Sequence, residues 1–131
     1  MVPTVAPLYA GLLGLLLVVL SLLVVRLRMR YRVGLGDGGQ AALTRAIRVQ
    51  GNFAEHVPLA LLLIFAVEGL GYAAWVVHAL GAALILGRLA HAQGLGRHEG
   101  ESPGRFLGTV TTFSVLIVAS GLCLFAALTR G

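Results

Sequence analysis

The sequence contains no lysine, only one cysteine and few charged residues of either sign. Charged residues make up 11% of its 131 residues, less than half of the share of about 25% found in soluble domains. A chain that is 58% hydrophobic cannot cover a soluble surface, and disordered chains are polar, so both classes are excluded. The lone Cys123 excludes a disulfide framework and a cysteine zinc cluster. The class that remains is an integral membrane protein with a single domain over residues 1–131.

The chain is made up mainly of long apolar stretches. About 20 apolar residues cross a bilayer core as a helix, and four segments meet that requirement, at about residues 3–26, 41–70, 72–95 and 105–128. The glycines of the segment GLGDGG (34–39) match the GxGxxG pattern, but that motif binds nucleotides only between a strand and a helix. Here it follows a membrane helix and is interpreted as a turn. The sequence predicts an all-α, four-helix transmembrane bundle.

The arginines predict the orientation of the bundle. Nine of the ten lie in the first loop, the third loop or the adjoining helix ends, and only Arg130 lies at the other side. The short second turn follows Glu68 and has no basic residue. The positive-inside rule therefore places loops one and three in the cytoplasm and both termini outside. The cluster Arg26 to Arg32 at the membrane edge is typical of contact with lipid headgroups and does not indicate nucleic-acid binding.

The second span begins with a polar stripe. Arg45, Arg48, Asn52 and Glu55 are separated by three, four and three residues, which places them on one face of an α-helix. A carboxylate within a membrane span is costly unless it has a partner. Glu55 is therefore expected to face the bundle or a water-filled cavity.

Two further spans bring charged and polar groups to the same depth. Arg88 and His91 are three residues apart on the third span, and Arg105 begins the fourth. Arginine remains in excess after Glu55 is paired, and the guanidinium fork matches an anionic ligand. This pattern favours a ligand site, while the alternative, in which these pairs only lock helices together, stays open. His78, isolated near the outer half of the third span, is predicted to form an interhelical hydrogen bond, and no metal site is predicted from the four histidines.

Two segments carry a family resemblance. RAIRVQGNFAEHVP (45–58) and GRLAHAQG (87–94) resemble the MAPEG family, the membrane-associated proteins of eicosanoid and glutathione metabolism, which include microsomal glutathione transferases and leukotriene C4 synthase. The pattern Arg-x-x-x-Asn-x-x-Glu, followed by proline on the second of four spans, is its most specific signature. The glycine-rich first turn is similar to that of the small bacterial branch. The resemblance implies a homotrimer in the bacterial inner membrane, with glutathione bound between adjacent subunits at the cytoplasmic end.

The resemblance also implies roles for individual residues. Glu55 would bind the γ-glutamyl amine and Arg48 a carboxylate, and Arg105 would stabilise the thiolate as the catalytic residue. His56 and His91 replace family tyrosines and are each expected to donate a hydrogen bond. Together with Arg88 from the pattern above, the predicted glutathione-binding residues are Arg28, Arg48, Gln50, Asn52, Glu55, His56, Arg88 and His91.

The predicted activity is that of a glutathione-dependent transferase or peroxidase. Glutathione would be the thiol cosubstrate and a hydrophobic small molecule, reaching the site from the membrane lipids, the electrophile. A thiol with a pKa of about 8.5 is little ionised at neutral pH, and a nearby cation lowers that value. The alternative is a non-catalytic scaffold of the same fold that binds lipids or other hydrophobic molecules. A third hypothesis places an anionic lipid headgroup, instead of a thiol, among the arginines.

Overall fold

Four long helices make up nearly all of the chain. The computed structural model describes residues 2–97 and 103–131, with residues 94–97 described as backbone only. The helices are α1 (Ala6–Tyr31), α2 (Ala41–Gly69), α3 (Ala74–Arg97) and α4 (Pro103–Arg130). All four are long and apolar enough to cross a membrane. The prediction of an all-α protein with four membrane-spanning helices is confirmed. α1 continues five residues beyond the predicted span because the arginine-rich segment after residue 26 is also helical, as expected from the high helix propensity of arginine.

α2 and α3 form the centre of the bundle. Each of them contacts the other three helices, whereas α1 and α4 do not contact each other over the described residues. The buried side chains of α2 recur every three or four residues, the spacing of one helix face: Leu43, Ala46, Val49, Phe53, Val57, Ala60, Ile64 and Val67. The outward faces of the helices are also apolar, with large side chains such as Leu62 and Ile117 exposed. This distribution suits a bundle surrounded by lipid.

The backbones of α3 and α4 come close together at two glycines. A β-carbon on Gly108 would lie 2.5 Å from the carbonyl oxygen of Gly87 and 2.6 Å from the β-carbon of His91. Small residues allow helix backbones in membranes to approach this closely. The close approach brings Thr112 of α4, one turn after Gly108, against the side chain of Arg88.

The glycine crossing can be tested by one substitution with a matched control. We expect Gly108→Ala to lower the free energy of unfolding by about 1–3 kcal/mol, the usual cost of overpacking, because backbone atoms block the added methyl group. Gly121→Ala lies on the same helix with nothing within 4 Å of the new β-carbon, and it should leave stability unchanged or raise it. Thermal unfolding in detergent measures both. A Gly108→Ala protein as stable as Gly121→Ala would contradict the tight crossing.

The end of the bundle that holds the chain termini is tied together by polar side chains. The Glu68 carboxylate accepts hydrogen bonds from the amides of Val5 (2.8 Å) and Ala6 (2.9 Å) and so caps the start of α1, which has no side-chain cap of its own. Tyr9 and His78 share a 2.7 Å hydrogen bond between α1 and α3, which confirms the interhelical bond predicted for His78. These contacts hold this end of α1 onto its neighbours.

The opposite end is ordered by the first loop. The Arg28 guanidinium donates to the carbonyl oxygens of Gly36 (2.7 Å) and Val33 (3.3 Å). The Asp37 carboxylate accepts bonds from the Thr44 hydroxyl (2.6 Å) and the Gly39 amide (2.9 Å), and these bonds hold the pKa of Asp37 below its usual value. The loop therefore places the first turn of α2, and with it the polar stripe, at a defined position beside the end of α1.

Candidate functional site

The polar stripe of α2 presents an exposed ion pair. The guanidinium of Arg48 lies 4.0 Å from the carboxylate of Glu55, two helical turns away, and the two side chains are 59% and 58% exposed. Asn52 lies between them on the same face and is half-buried. An ion pair this open and this long contributes little to stability by itself. Within a span it leaves a carboxylate facing outward from the chain, where lipid cannot solvate it.

In contrast to the exposed Arg48, Arg88 is a cation enclosed by the bundle. Its side chain is 2% exposed, with the guanidinium 5.7 Å from the ring centroid of Phe53. Its hydrogen bonds are long, 3.5 Å to the Thr112 hydroxyl and 3.5 Å to Nδ1 of His91. Its Nε has no hydrogen-bond partner, and no carboxylate pairs with it in the described part of the chain. A buried charge this poorly compensated is costly and is a candidate for binding an anion.

His91 lies where three helices bring their charges together. Its side chain is 4% exposed, and Arg88, Arg105, His56 and Arg48 all lie within electrostatic range of its imidazole. These residues come from α2, α3 and α4. The structure therefore brings together four of the residues predicted for the site around one imidazole, at the end of the bundle nearest the first loop. Arg105 is the third residue of α4 and is half-buried at this position.

The two histidines of the site have opposite hydrogen-bonding roles. Nδ1 of His56 lies 2.8 Å from the carbonyl oxygen of Asn52. A carbonyl can only accept, so this nitrogen carries the proton and Nε2 is left as an acceptor in the neutral ring. Nδ1 of His91 faces the guanidinium of Arg88, which can only donate, so His91 carries its proton on Nε2. His91 is thus positioned to donate a hydrogen bond, whereas neutral His56 presents an acceptor, next to the ring of Phe113. Nδ1–H of His56 thus donates to the Asn52 carbonyl, and donation from its Nε2 to a ligand would require the protonated ring.

Two predicted site residues lie apart from this cluster within one chain. The guanidinium of Arg28 is bound to carbonyls of the first loop, and α1, which carries it, does not contact α4 over the described residues. Gln50 follows Arg48 by two residues, which places it roughly 200° around α2 from Arg48. Neither residue therefore belongs to the cluster around His91 within one chain.

Two neighbours of Arg88 were not identified by the sequence analysis. Phe53 comes directly after Asn52 in the sequence but lies on the buried apolar face of α2. Only its contact with Arg88 distinguishes it from the other core residues of that helix. Thr112 lies seven residues, two helical turns, after Arg105 and thus on the same face of α4. That spacing was a signal available in the sequence, although threonines in membrane helices commonly bond only to their own backbone, as Thr112 also does to Gly108.

Comparison with known proteins identifies the family. The sequence model of the MAPEG family matches residues 6–125. The chain belongs to the MAPEG family. Among its relatives, the inner membrane protein YecN of Escherichia coli (strain K12) is 49% identical over 90 residues, 69% of each chain. YecN of Escherichia coli O6:H1 (strain CFT073) matches to the same extent. The family resemblance is confirmed, and this MAPEG chain is a membrane protein whose relatives are named for the inner membrane.

Proposed function

We propose that this MAPEG protein is a glutathione-dependent transferase or peroxidase that acts on hydrophobic electrophiles. The observation that carries the proposal is Arg88, a buried guanidinium with long hydrogen bonds and an unpaired Nε in the described structure. Arg48 and Arg105 lie near the same imidazole, and among the described residues no carboxylate pairs with Arg88. An anion with several hydrogen-bonding groups would compensate that charge.

Glutathione matches the character of the cluster. It carries two carboxylates, one ammonium group and a thiol, and the cluster offers guanidiniums for the carboxylates and Glu55 for the ammonium. Asn52 and Nε2 of His91 supply neutral hydrogen-bonding groups. Arg105 would stabilise the thiolate, since a thiol near a fixed cation ionises more readily.

The main requirement for transfer of glutathione to the electrophile is an ionised sulfur. The thiol proton leaves to solvent, the thiolate sulfur forms a bond to the electrophilic carbon, and the leaving group departs as an anion. With a chlorinated aromatic substrate the products are the thioether, chloride and one proton. Arg105 would hold the negative charge on sulfur before the new bond forms, which is the electrostatic contribution expected of a preorganised cation.

Assembly as a homotrimer forms part of the proposal. Glu55 and Arg48 are more than half exposed on a helix that crosses the membrane, and a second copy of the chain would cover them. The separation of Arg28 and Gln50 from the rest of the site supports the same conclusion, because a neighbouring chain could present those two residues to the Glu55 face. Glutathione would then lie between subunits, and the electrophile would enter from the bilayer.

The orientation proposed for the protein gives it access to a soluble thiol. Nine of the ten arginines lie at the first-loop end of the bundle, so the positive-inside rule places this end, and the cluster around His91, at the cytoplasmic face of the inner membrane. The termini and the polar contacts of Glu68 would lie on the other side. Labelling of cysteines introduced singly near Leu35 and at the C-terminus, in intact cells, measures this orientation.

Glutathione binding is the direct test of the site. We expect Glu55→Gln to raise the dissociation constant about tenfold, because the substitution removes a charge-assisted bond to the ammonium group while keeping the shape of the side chain. Isothermal titration calorimetry of the detergent-solubilised protein gives the constant. Glu68→Gln, the same acid-to-amide change at the opposite end of α2, is the matched control and should bind as the unmodified protein does.

The outcomes distinguish the enzyme from the alternative. No saturable binding by the unmodified protein at millimolar glutathione would contradict the transferase and favour a non-catalytic scaffold that binds lipid or other hydrophobic molecules. An equal loss of affinity in Glu55→Gln and Glu68→Gln would show that the net charge of the chain matters and that Glu55 has no specific role.

A further inference from the structure

A second feature of the bundle is an apolar groove between α1 and α2. The groove has a volume of about 450 Å³, and Ala92 and Gln93 of α3 complete its lining. Its walls include Leu16 and Leu27 of α1 and Val49 of α2. Arg45 is the one charged side chain that lines it among the described residues. None of the lining residues comes from α4, and none of them belongs to the cluster of Arg88, His91 and Arg105.

The groove has a polar end and an apolar end. α1 and α2 are joined by the first loop, so Leu27 and Arg45 lie towards that loop while Leu16 and Val49 lie deeper in the bundle. From Leu16 to Leu27 the groove extends roughly 16 Å along α1 at 1.5 Å per residue. That is about half of a ~30 Å hydrocarbon core. The groove therefore runs from one membrane edge to near the bilayer midplane, which is the extent of one leaflet.

Arg45 places a fixed positive charge where that leaflet has its headgroups. Its side chain is half-buried at the side of the groove, unlike the exposed Arg26 and Arg30 near the end of α1. A guanidinium fork binds phosphate oxygens through two parallel hydrogen bonds. Basic pockets between membrane helices at the headgroup level are typical binding places for anionic lipids. The glutathione site proposed above does not use Arg45.

We propose that this groove binds one anionic phospholipid from the leaflet on the first-loop side, with an acyl chain between α1 and α2 and the phosphate on Arg45. A zwitterionic lipid has the same phosphate but adds an ammonium group that Arg45 repels, so the site should prefer a lipid such as phosphatidylglycerol to phosphatidylethanolamine. A free phosphate ion would make no use of the apolar walls. This binding does not depend on whether the protein binds glutathione.

Native mass spectrometry of the detergent-solubilised protein, titrated separately with phosphatidylglycerol and phosphatidylethanolamine, tests the proposal. We expect a saturable phosphatidylglycerol complex that Arg45→Gln weakens about fivefold, the contribution of one arginine at a membrane surface. Arg45→Lys should keep most of the affinity. Arg30→Gln, an exposed arginine at the same end of the bundle, is the matched control and should not change it.

A second variant tests the groove itself. Ala42→Phe places a large side chain at a half-buried lining position and should weaken both lipids, with folding checked by thermal unfolding. Equal binding of the two lipids by the unmodified protein would overturn the preference for an anion. An equal effect of Arg30→Gln and Arg45→Gln would overturn the assignment of Arg45, and the absence of any saturable lipid would indicate that another chain fills the groove.

Discussion

Arg105→Ala is expected to lower kcat/KM for conjugation of glutathione to a chlorinated nitroaromatic by about a hundredfold to a thousandfold. Removing one preorganised group that stabilises developing or existing negative charge has an effect of this size in other enzymes. The half-buried position of Arg105 at the start of α4, within electrostatic range of His91, supports the role. Because substrate contacts are retained, the loss should fall mainly on kcat. Steady-state kinetics of the purified protein in detergent measures it.

The pH profile of the same variant distinguishes thiolate stabilisation from a role in positioning. Without the cation, the thiol pKa returns towards about 8.5, so activity of Arg105→Ala should rise nearly tenfold per pH unit from neutral pH to that value. The unmodified protein should show a flatter profile over that range, and Arg105→Lys should recover part of the activity. Arg30→Ala, an exposed arginine outside the site, should behave as the unmodified protein does. An unchanged kcat/KM in Arg105→Ala would remove the assigned role.

Arg88→Met is expected to have opposite effects on ligand binding and on stability. If the buried guanidinium binds a glutathione carboxylate, its loss should raise the dissociation constant about thirtyfold or more, the cost of truncating a buried charge pair. The ligand-free protein should unfold at the same or a higher temperature. Replacement of buried ionic groups by apolar ones of similar volume is often neutral or stabilising by about 1–4 kcal/mol, and Arg88 has only long hydrogen bonds in the described structure.

Thermal unfolding with and without glutathione measures both effects at once. The unmodified protein should be stabilised by glutathione in proportion to its binding, and Arg88→Met should lose that increment. Thr112→Val, which removes one hydroxyl bonded to Arg88 and keeps the shape of the side chain, is the control and should retain most of the binding. An Arg88→Met protein that is destabilised yet binds glutathione normally would show that Arg88 only locks α3 to its neighbours.

Local sequence patterns were sufficient to predict the helices and much of the α2 face. A run of about 20 apolar residues has one low-energy solution in a membrane, a helix that satisfies its own backbone. The spacing of Arg48, Asn52 and Glu55 determines that they share a helix face, and the structure places them so. Arg88 and His91 follow the same rule on α3.

Contacts between helices were harder to predict from the sequence. Gly81 and Gly87 are both small residues of α3, yet Gly81 lies under the ring of Tyr9 on α1, while Gly87 faces Gly108 on α4. Helix packing depends on which faces meet, and the period of a single helix does not determine its rotation relative to another. The opposite proton positions of His56 and His91 likewise depend on which group each Nδ1 reaches.

The sequence by itself determined the class of protein, the number of spans and the concentration of arginine at one end, because these depend on composition and order along the chain. The tertiary structure decided which arginine is buried. Arg48 and Arg88 are equally charged residues within apolar spans, yet one is 59% exposed and the other 2%. The difference arises from the side chains that surround Arg88, which are Thr112 of α4, Phe53 of α2 and His91 of its own helix. The burial of a side chain depends on the helices packed against it, so the sequence of one helix does not determine it.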